Sequence, residues 1–98
     1  MAIKSFKNKE TKAIAFGQKT KRSLKILPGE LHYLAYKKMV FLDNIKSLES
    51  LAAWPGLKFE KLSGSRKNQF SIRINDQYRI CFRYEAGNVF DVEIIDYH

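Results

Sequence analysis

At Leu57 the spacing of apolar residues in this 98-residue chain changes, and that change decides its architecture. Upstream, Leu31, Leu34, Ala35, Met39 and Leu42 recur about every 3.6 residues, a helical stripe broken only at Lys38. Downstream, apolar and polar residues alternate, as they do along a half-buried strand. LKFEKL sets Leu57 and Phe59 against Lys58 and Glu60. QFSIRIN sets Phe70, Ile72 and Ile74 against Ser71 and Arg73. QYRICFRY sets Tyr78, Ile80, Phe82 and Tyr84 against Arg79, Cys81 and Arg83. NVFDVEII sets Phe90, Val92 and Ile94 against Asp91 and Glu93. The connections NDQ and EAGN have the length and composition of hairpin turns. The C-terminal half is therefore expected to be an antiparallel meander with one apolar and one polar face.

The N-terminal half supplies the other layer. AIKSF alternates and reads as a short first strand. Asn8 is placed to cap a helix that Gly17 stops. QKTKRSLKILPG is a basic loop or broken helix ahead of Pro28. ELHYLAYKKMVFLDNI is the main helix, with His32 and Lys37 off its apolar stripe, so His32 is expected on the surface. SLESLAAW adds a second helical piece with Ser47 as N-cap, ended by Pro55-Gly56. The expected fold is α+β: one domain over residues 1–98, with N-terminal helices on one face of a small, mainly antiparallel sheet that the first strand extends.

The formal net charge is +8, which attracts polyanions. Residues 1–25 carry eight Lys or Arg against Glu10, and residues 58–83 carry seven against Glu60 and Asp76. The first cluster is almost all Lys, suited to long-range attraction. The second is mostly Arg (Arg66, Arg73, Arg79, Arg83), whose planar fork grips phosphate bidentately. No apolar run is long enough to span a membrane, no signal-peptide core is visible, and the single Cys81 has no partner for an internal disulfide. A cytoplasmic protein is expected.

Strand parity puts Arg73, Arg79 and Arg83 on the sheet face away from the helices. Tyr97 shares parity with Asp91 and Glu93; Asp96 and His98 take the opposite parity. Cross-strand pairs of Asp91 and Glu93 with Arg79 and Arg83 would explain part of this charge structurally. The closing residues, Asp96-Tyr97-His98, point further. RNA carries its own nucleophile, the 2′-hydroxyl. Cleaving it needs a base, an acid for the leaving 5′-oxygen, and positive charge on the transition-state phosphate. An imidazole suits either proton role. A phenol stacks on a base or relays a proton, an acid orients the imidazole, and Arg79 and Arg73 can hold phosphate. With two His far apart and one Cys, no metal ligand set is visible, and no cofactor is called for. Cys81 is expected to be a small, partly buried thiol.

The segment LSGSRKNQFSIRINDQYRICFRYEAGNVFDVEIIDYH closely resembles the C-terminal half of HigB toxins, the plasmid-maintenance killer branch of the RelE/ParE superfamily. IKSFKNKET is similar to that family's first strand and helix, while residues 17–50 match in pattern alone. The resemblance implies a RelE-like α+β toxin that enters the ribosomal A site and cuts mRNA during translation. It implies neutralisation by a HigA-like helix-turn-helix antitoxin encoded beside it, with operator DNA reached through the antitoxin. It assigns catalysis to Asp96, Tyr97, His98 and Arg79; RNA contacts are expected beside them from Lys61, Ser63, Arg66, Lys67, Arg73 and Arg83 on the basic Arg-rich segment. The chain departs from the family where many members read R-L-H-P-L-K-G. Here Lys58-Phe59-Glu60-Lys61-Leu62-Ser63-Gly64 puts Glu60 and Ser63 at basic positions. That variant resembles the milder GraT-like subgroup and implies a weak or conditional nuclease. Two alternatives stay open: a ParE-like toxin that binds gyrase, and a basic co-repressor partner of the antitoxin.

Overall fold

Asn8 opens the first helix, its side-chain oxygen accepting the Thr11 N–H at 2.8 Å. This helix, α1 (Lys9–Ala15), ends before Gly17, whose φ of +74° lies in the left-handed region that favours glycine. The next stretch, expected as a loop or broken helix, instead forms α2 (Lys21–Ile26). A reciprocal capping box explains it: Ser23 N–H donates to Thr20 Oγ1 at 3.0 Å, and Thr20 N–H donates to Ser23 Oγ at 2.8 Å. A 3-10 turn then leads into α3 (His32–Asp43). Ser47 does not cap the short α4 (Glu49–Ala52); its hydroxyl lies 3.4 Å from that of Ser50, and Leu48 holds the cap position.

The computed structural model describes residues 2–96. Its sheet has the order β1-β2-β3-β4, all antiparallel: β1 (Glu60–Lys61), β2 (Phe70–Arg73), β3 (Tyr78–Glu85) and β4 (Asn88–Asp96). The helices cover one face, which is the α+β arrangement the sequence implies. Ile14, Leu27, Ala35, Met39, Leu42 and Leu51 of the helical layer are buried together with Ile72, Ile80, Phe82, Val89, Val92 and Ile94. Each large aliphatic or aromatic side chain so buried stabilises the fold by about 1.5–3 kcal/mol before entropy is counted. Thr11 ties the layers directly, its hydroxyl accepting the Ile94 N–H at 3.2 Å.

Three departures from strict alternation shape the sheet. The expected LKFEKL strand shortens to two residues, because Pro55–Leu57 forms a 3-10 turn and Lys58 adopts φ +45°. The first strand reduces to two parallel bridges, Ile3 to Val89 and Phe6 to Val92, beside β4. Finally, β4 carries a bulge opposite Phe82: Cys81 pairs with Glu93 while Arg83 pairs with Phe90, and Asp91 takes φ +54°. Phe90 therefore faces away from the helices, against expectation, with the Arg83 guanidinium 5.2 Å from its ring centroid. The β3–β4 hairpin turns on Ala86 and Gly87, both with positive φ, as a two-residue primed turn requires.

Candidate active site

On the face away from the helices, the register sets Ser71 opposite Cys81, Arg73 opposite Arg79, Cys81 opposite Glu93 and Arg79 opposite Ile95. Arg79 is the centre of this face and is only 6% exposed. A buried guanidinium must be hydrogen-bonded and matched in charge. Its Nε donates to Ser71 Oγ at 2.8 Å, and its Nη2 donates to the carbonyl of Lys58 and to that of Ser71 at 3.5 Å. The left-handed turn at Lys58 belongs to the segment that brings that carbonyl to the arginine. Glu60 supplies the countercharge, its Oε1 lying 3.6 Å from Arg79 Nη1, and remains half-exposed.

A second pair roofs the same face. Arg66 Nη1 lies 3.1 Å from Glu93 Oε1 and donates to Gln69 Oε1 at 3.1 Å. Glu93 thus meets Arg66, where strand parity had suggested Arg79 or Arg83. Beneath these charges Cys81 is fully buried, more so than expected. Burial pushes its thiol up to about 11, against the opposing pull of Arg66. It is an inert core thiol.

Beyond Arg79, the loop after β1 and the end of β4 enclose a groove of about 330 Å³. Lys61, Ser63, Arg66 and Asp96 line it together, with Glu60, Leu62, Ser65 and Ile95. The sequence brings Ser63 and Arg66 there through the 3-10 turn Gly64–Arg66, which begins at a glycine of φ +65°. Asp96 is exposed, and its carboxylate accepts from Gln77 Nε2 at 3.1 Å. The groove offers two carboxylates, an ammonium, a guanidinium and two hydroxyls around a space larger than a single phosphate group.

Other sequence-predicted residues are not gathered there. Arg73 neighbours Arg79 in register, and its Nη2 pairs with Asp76 at 2.6 Å, a contact that holds the Asp76 carboxyl below the usual range. Arg83 lies four residues along β3 from Arg79, about 13 Å at strand rise. It is committed to Asp91, Nε to Oδ2 at 2.9 Å, and to Glu85 at 3.3 Å. Lys67 is exposed just past the 3-10 turn. Tyr97 and His98 lie outside the described residues. Among the described residues no cluster of His, Cys, Asp and Glu could hold a metal ion, and no helix is long and apolar enough to cross a membrane.

Residues outside the expected catalytic and RNA-contact set complete the setting. Ser71, Glu60 and the Lys58 carbonyl fix Arg79. Lys38, the one break in the α3 stripe, reaches under the sheet and donates to the Arg73 carbonyl at 2.6 Å and the Ile74 carbonyl at 3.4 Å. Burial, followed by the charges of Arg73 and Arg79, lowers its pKa. That break was the available signal, since a half-buried ammonium needs acceptors. His32 is buried too, contrary to expectation, because its Nε2 meets the Leu27 carbonyl at 2.8 Å.

Comparison with known proteins bears on this arrangement. Residues 4–98 match the model of a family described as the RelE-like toxin of the type II toxin–antitoxin system HigB. A curated relative, Toxin HigB-1 of Vibrio cholerae serotype O1, is 33% identical over 63 residues. That alignment covers 64% of this chain and 66% of the relative, just under two thirds of the relative's length. From the family match, which spans nearly every residue, the chain belongs to the HigB-like family of RelE-like toxins of type II toxin–antitoxin systems.

Proposed function

We propose that this toxin is a metal-independent, ribosome-dependent mRNA endonuclease, acting in the cytoplasm and neutralised by a HigA-like helix-turn-helix antitoxin through which it also reaches operator DNA. The supporting observation is the convergence of Lys61, Ser63, Arg66 and Asp96 on one groove beside the anchored Arg79. In this reading the ribose 2′-oxygen attacks the adjacent phosphorus while a base takes its proton. The P–O5′ bond breaks, the leaving 5′-oxygen is protonated, and a 2′,3′-cyclic phosphate results. Arg79, fixed in advance, stabilises the extra negative charge on phosphorus without reorganising. Arg66, Lys61 and Lys67 hold flanking phosphates, Ser63 offers a neutral hydrogen bond, and Arg73 and Arg83 extend the basic face. Asp96, Tyr97 and His98 carry the proton transfers.

The test is brief expression in bacteria of the wild type beside a variant lacking His98, with 5′ ends mapped on translated mRNAs. Cuts in coding regions that vanish without His98 are expected. Growth arrest without cuts in either strain would refute the nuclease reading.

A second reading has one specific observation in its favour. Glu60 already occupies Arg79 as a countercharge. A binding toxin of the gyrase-directed kind, or a basic co-repressor of the antitoxin, has no need of an arginine open to phosphate. DNA breaks or altered supercoiling on expression would select the first of these.

A further inference from the structure

Across the sheet from the groove, beyond β4, lies a different kind of surface. Phe16 is 57% exposed and Val40 44% exposed, although both are large and apolar. With Ile3, Phe6 and Met39 they border a cleft of about 90 Å³. Three of its walls, Ile3, Phe6 and Phe16, continue into a shallower trough flanked by Lys4, Lys7, Lys9 and Lys12. All four lysines are exposed. Among the described residues, none forms an ion pair with a carboxylate. Two acids border this face and both are engaged. Asp43 accepts the Ile3 N–H at 2.8 Å, and Asp91, which feels Lys7 through space, is bound to Arg83.

We propose that the antitoxin of this toxin docks here through an acidic segment that seats one apolar side chain between Phe6, Phe16 and Val40 and sets carboxylates against Lys4, Lys7, Lys9 and Lys12. This rests on the partner that the toxin's family implies. Two features fit an acidic protein segment. The cleft has the volume of a single aliphatic side chain and largely apolar walls, so it takes an anchor of the kind that dominates protein interfaces. The rim is of one sign and made of lysine, which steers an acidic partner and exchanges the mutual repulsion of four ammoniums for attraction. Nucleic acid would satisfy the rim, but a cleft the size of one aliphatic side chain is too small to enclose a nucleobase, so RNA is the competing occupant that the experiment must separate.

The probe is the helix-turn-helix protein encoded beside this chain, titrated calorimetrically against the full-length toxin. The variants are Phe16→Asp, Val40→Asp, the double change Lys9→Glu/Lys12→Glu, and Trp54→Ser, an exposed aromatic far along the chain, as control. The double lysine variant alters exposed side chains alone, so it tests the surface even if an apolar variant folds poorly. Weakening by about tenfold or more is expected in each groove variant, as for an interface anchor. The control should bind as the wild type, and the lysine variant should lose most of the salt dependence. Unchanged antitoxin binding in all groove variants overturns the proposal, as does loss of ribosome binding in them with antitoxin binding intact. Failure of the wild type itself to bind removes the partner reading as well, so the two failures are told apart.

Discussion

The Nε of Arg79 and the hydroxyl of Ser71 sit 2.8 Å apart across the β2–β3 pair, both buried, on the sheet face that carries no helices. The arginine is thus held by its neck while its head faces Glu60 and the Lys58 carbonyl. Ser71→Ala should cost about 1.5–3 kcal/mol of unfolding free energy, the range for a hydrogen bond to a charged group. Denaturant titration measures this. Arg79→Lys keeps the charge but cannot span the same three acceptors, so it should lose most cleavage and recover none relative to Arg79→Met. Equal activity of Arg79→Lys and wild type would refute the positioning argument.

Glu60 competes with phosphate for Arg79. Glu60→Gln should raise RNA affinity and cleavage by up to about fivefold, equivalent to ~1 kcal/mol for a half-exposed pair. Reporter-transcript cleavage in a translation extract provides the comparison. A loss of activity in Glu60→Gln would instead make the carboxylate a participant.

Ser63 stands at a position where a lysine would add a positive charge to the groove. Ser63→Lys should increase cleavage, since an ammonium there faces the same space as Arg66 and Lys61. The same translation assay reads it. Unchanged cleavage would mean that Ser63 has no part in toxin strength.

Cys81, with its pKa pushed up to about 11 by burial, should stay a thiol at pH 8. Labelling by a thiol-specific disulfide reagent should be negligible in the native protein and complete in denaturant. Rapid native labelling would mean that the Arg66–Glu93 roof opens readily.

The hydrogen bond from Arg83 is the largest influence on Asp91 and outweighs desolvation, so that with the arginine's charge it holds the carboxyl below the usual range. A depressed carboxyl adds stability that is complete above its unfolded pKa, about 3.9, and is lost as the pH falls through the folded value. Asp91→Asn should flatten that acid limb of the stability profile and leave neutral pH little changed. Thermal melts between pH 2 and pH 7 test the sign.

Much of this molecule was legible in its sequence because two periods rarely deceive over long runs. The α3 stripe, the β2–β3–β4 meander and the outward Arg73, Arg79 and Arg83 all followed from spacing alone. What escaped depended on single residues overriding a period. The Thr20–Ser23 box made a helix from a basic stretch with little apolar pattern. Lys58 in a left-handed conformation cut a strand to two residues. The candidate groove was legible as a list but not as a place: Lys61, Ser63, Arg66 and Asp96 meet only through strand pairing and the turn at Gly64. Glu60 was noticed as a missing base, while its role as the partner of Arg79 needed three dimensions.

The bulge at Asp91 works as a phase shifter. Val89, on one side of it, and Val92 and Ile94, on the other, all point into the core although Val89 is separated from both by an odd number of positions, which a regular strand would set on opposite faces. Straightening the bulge with Asp91 kept in the pleat would restore an unbroken alternation along the sequence and, in doing so, exchange inside for outside along the rest of β4. Glu93 would turn inward, Ile94 outward, and the approach of Asp96 to the groove would be rotated by half a turn. The aim of the last strand toward Arg79 is thus metered by one inserted aspartate, far from the chemistry and invisible to any count of charges.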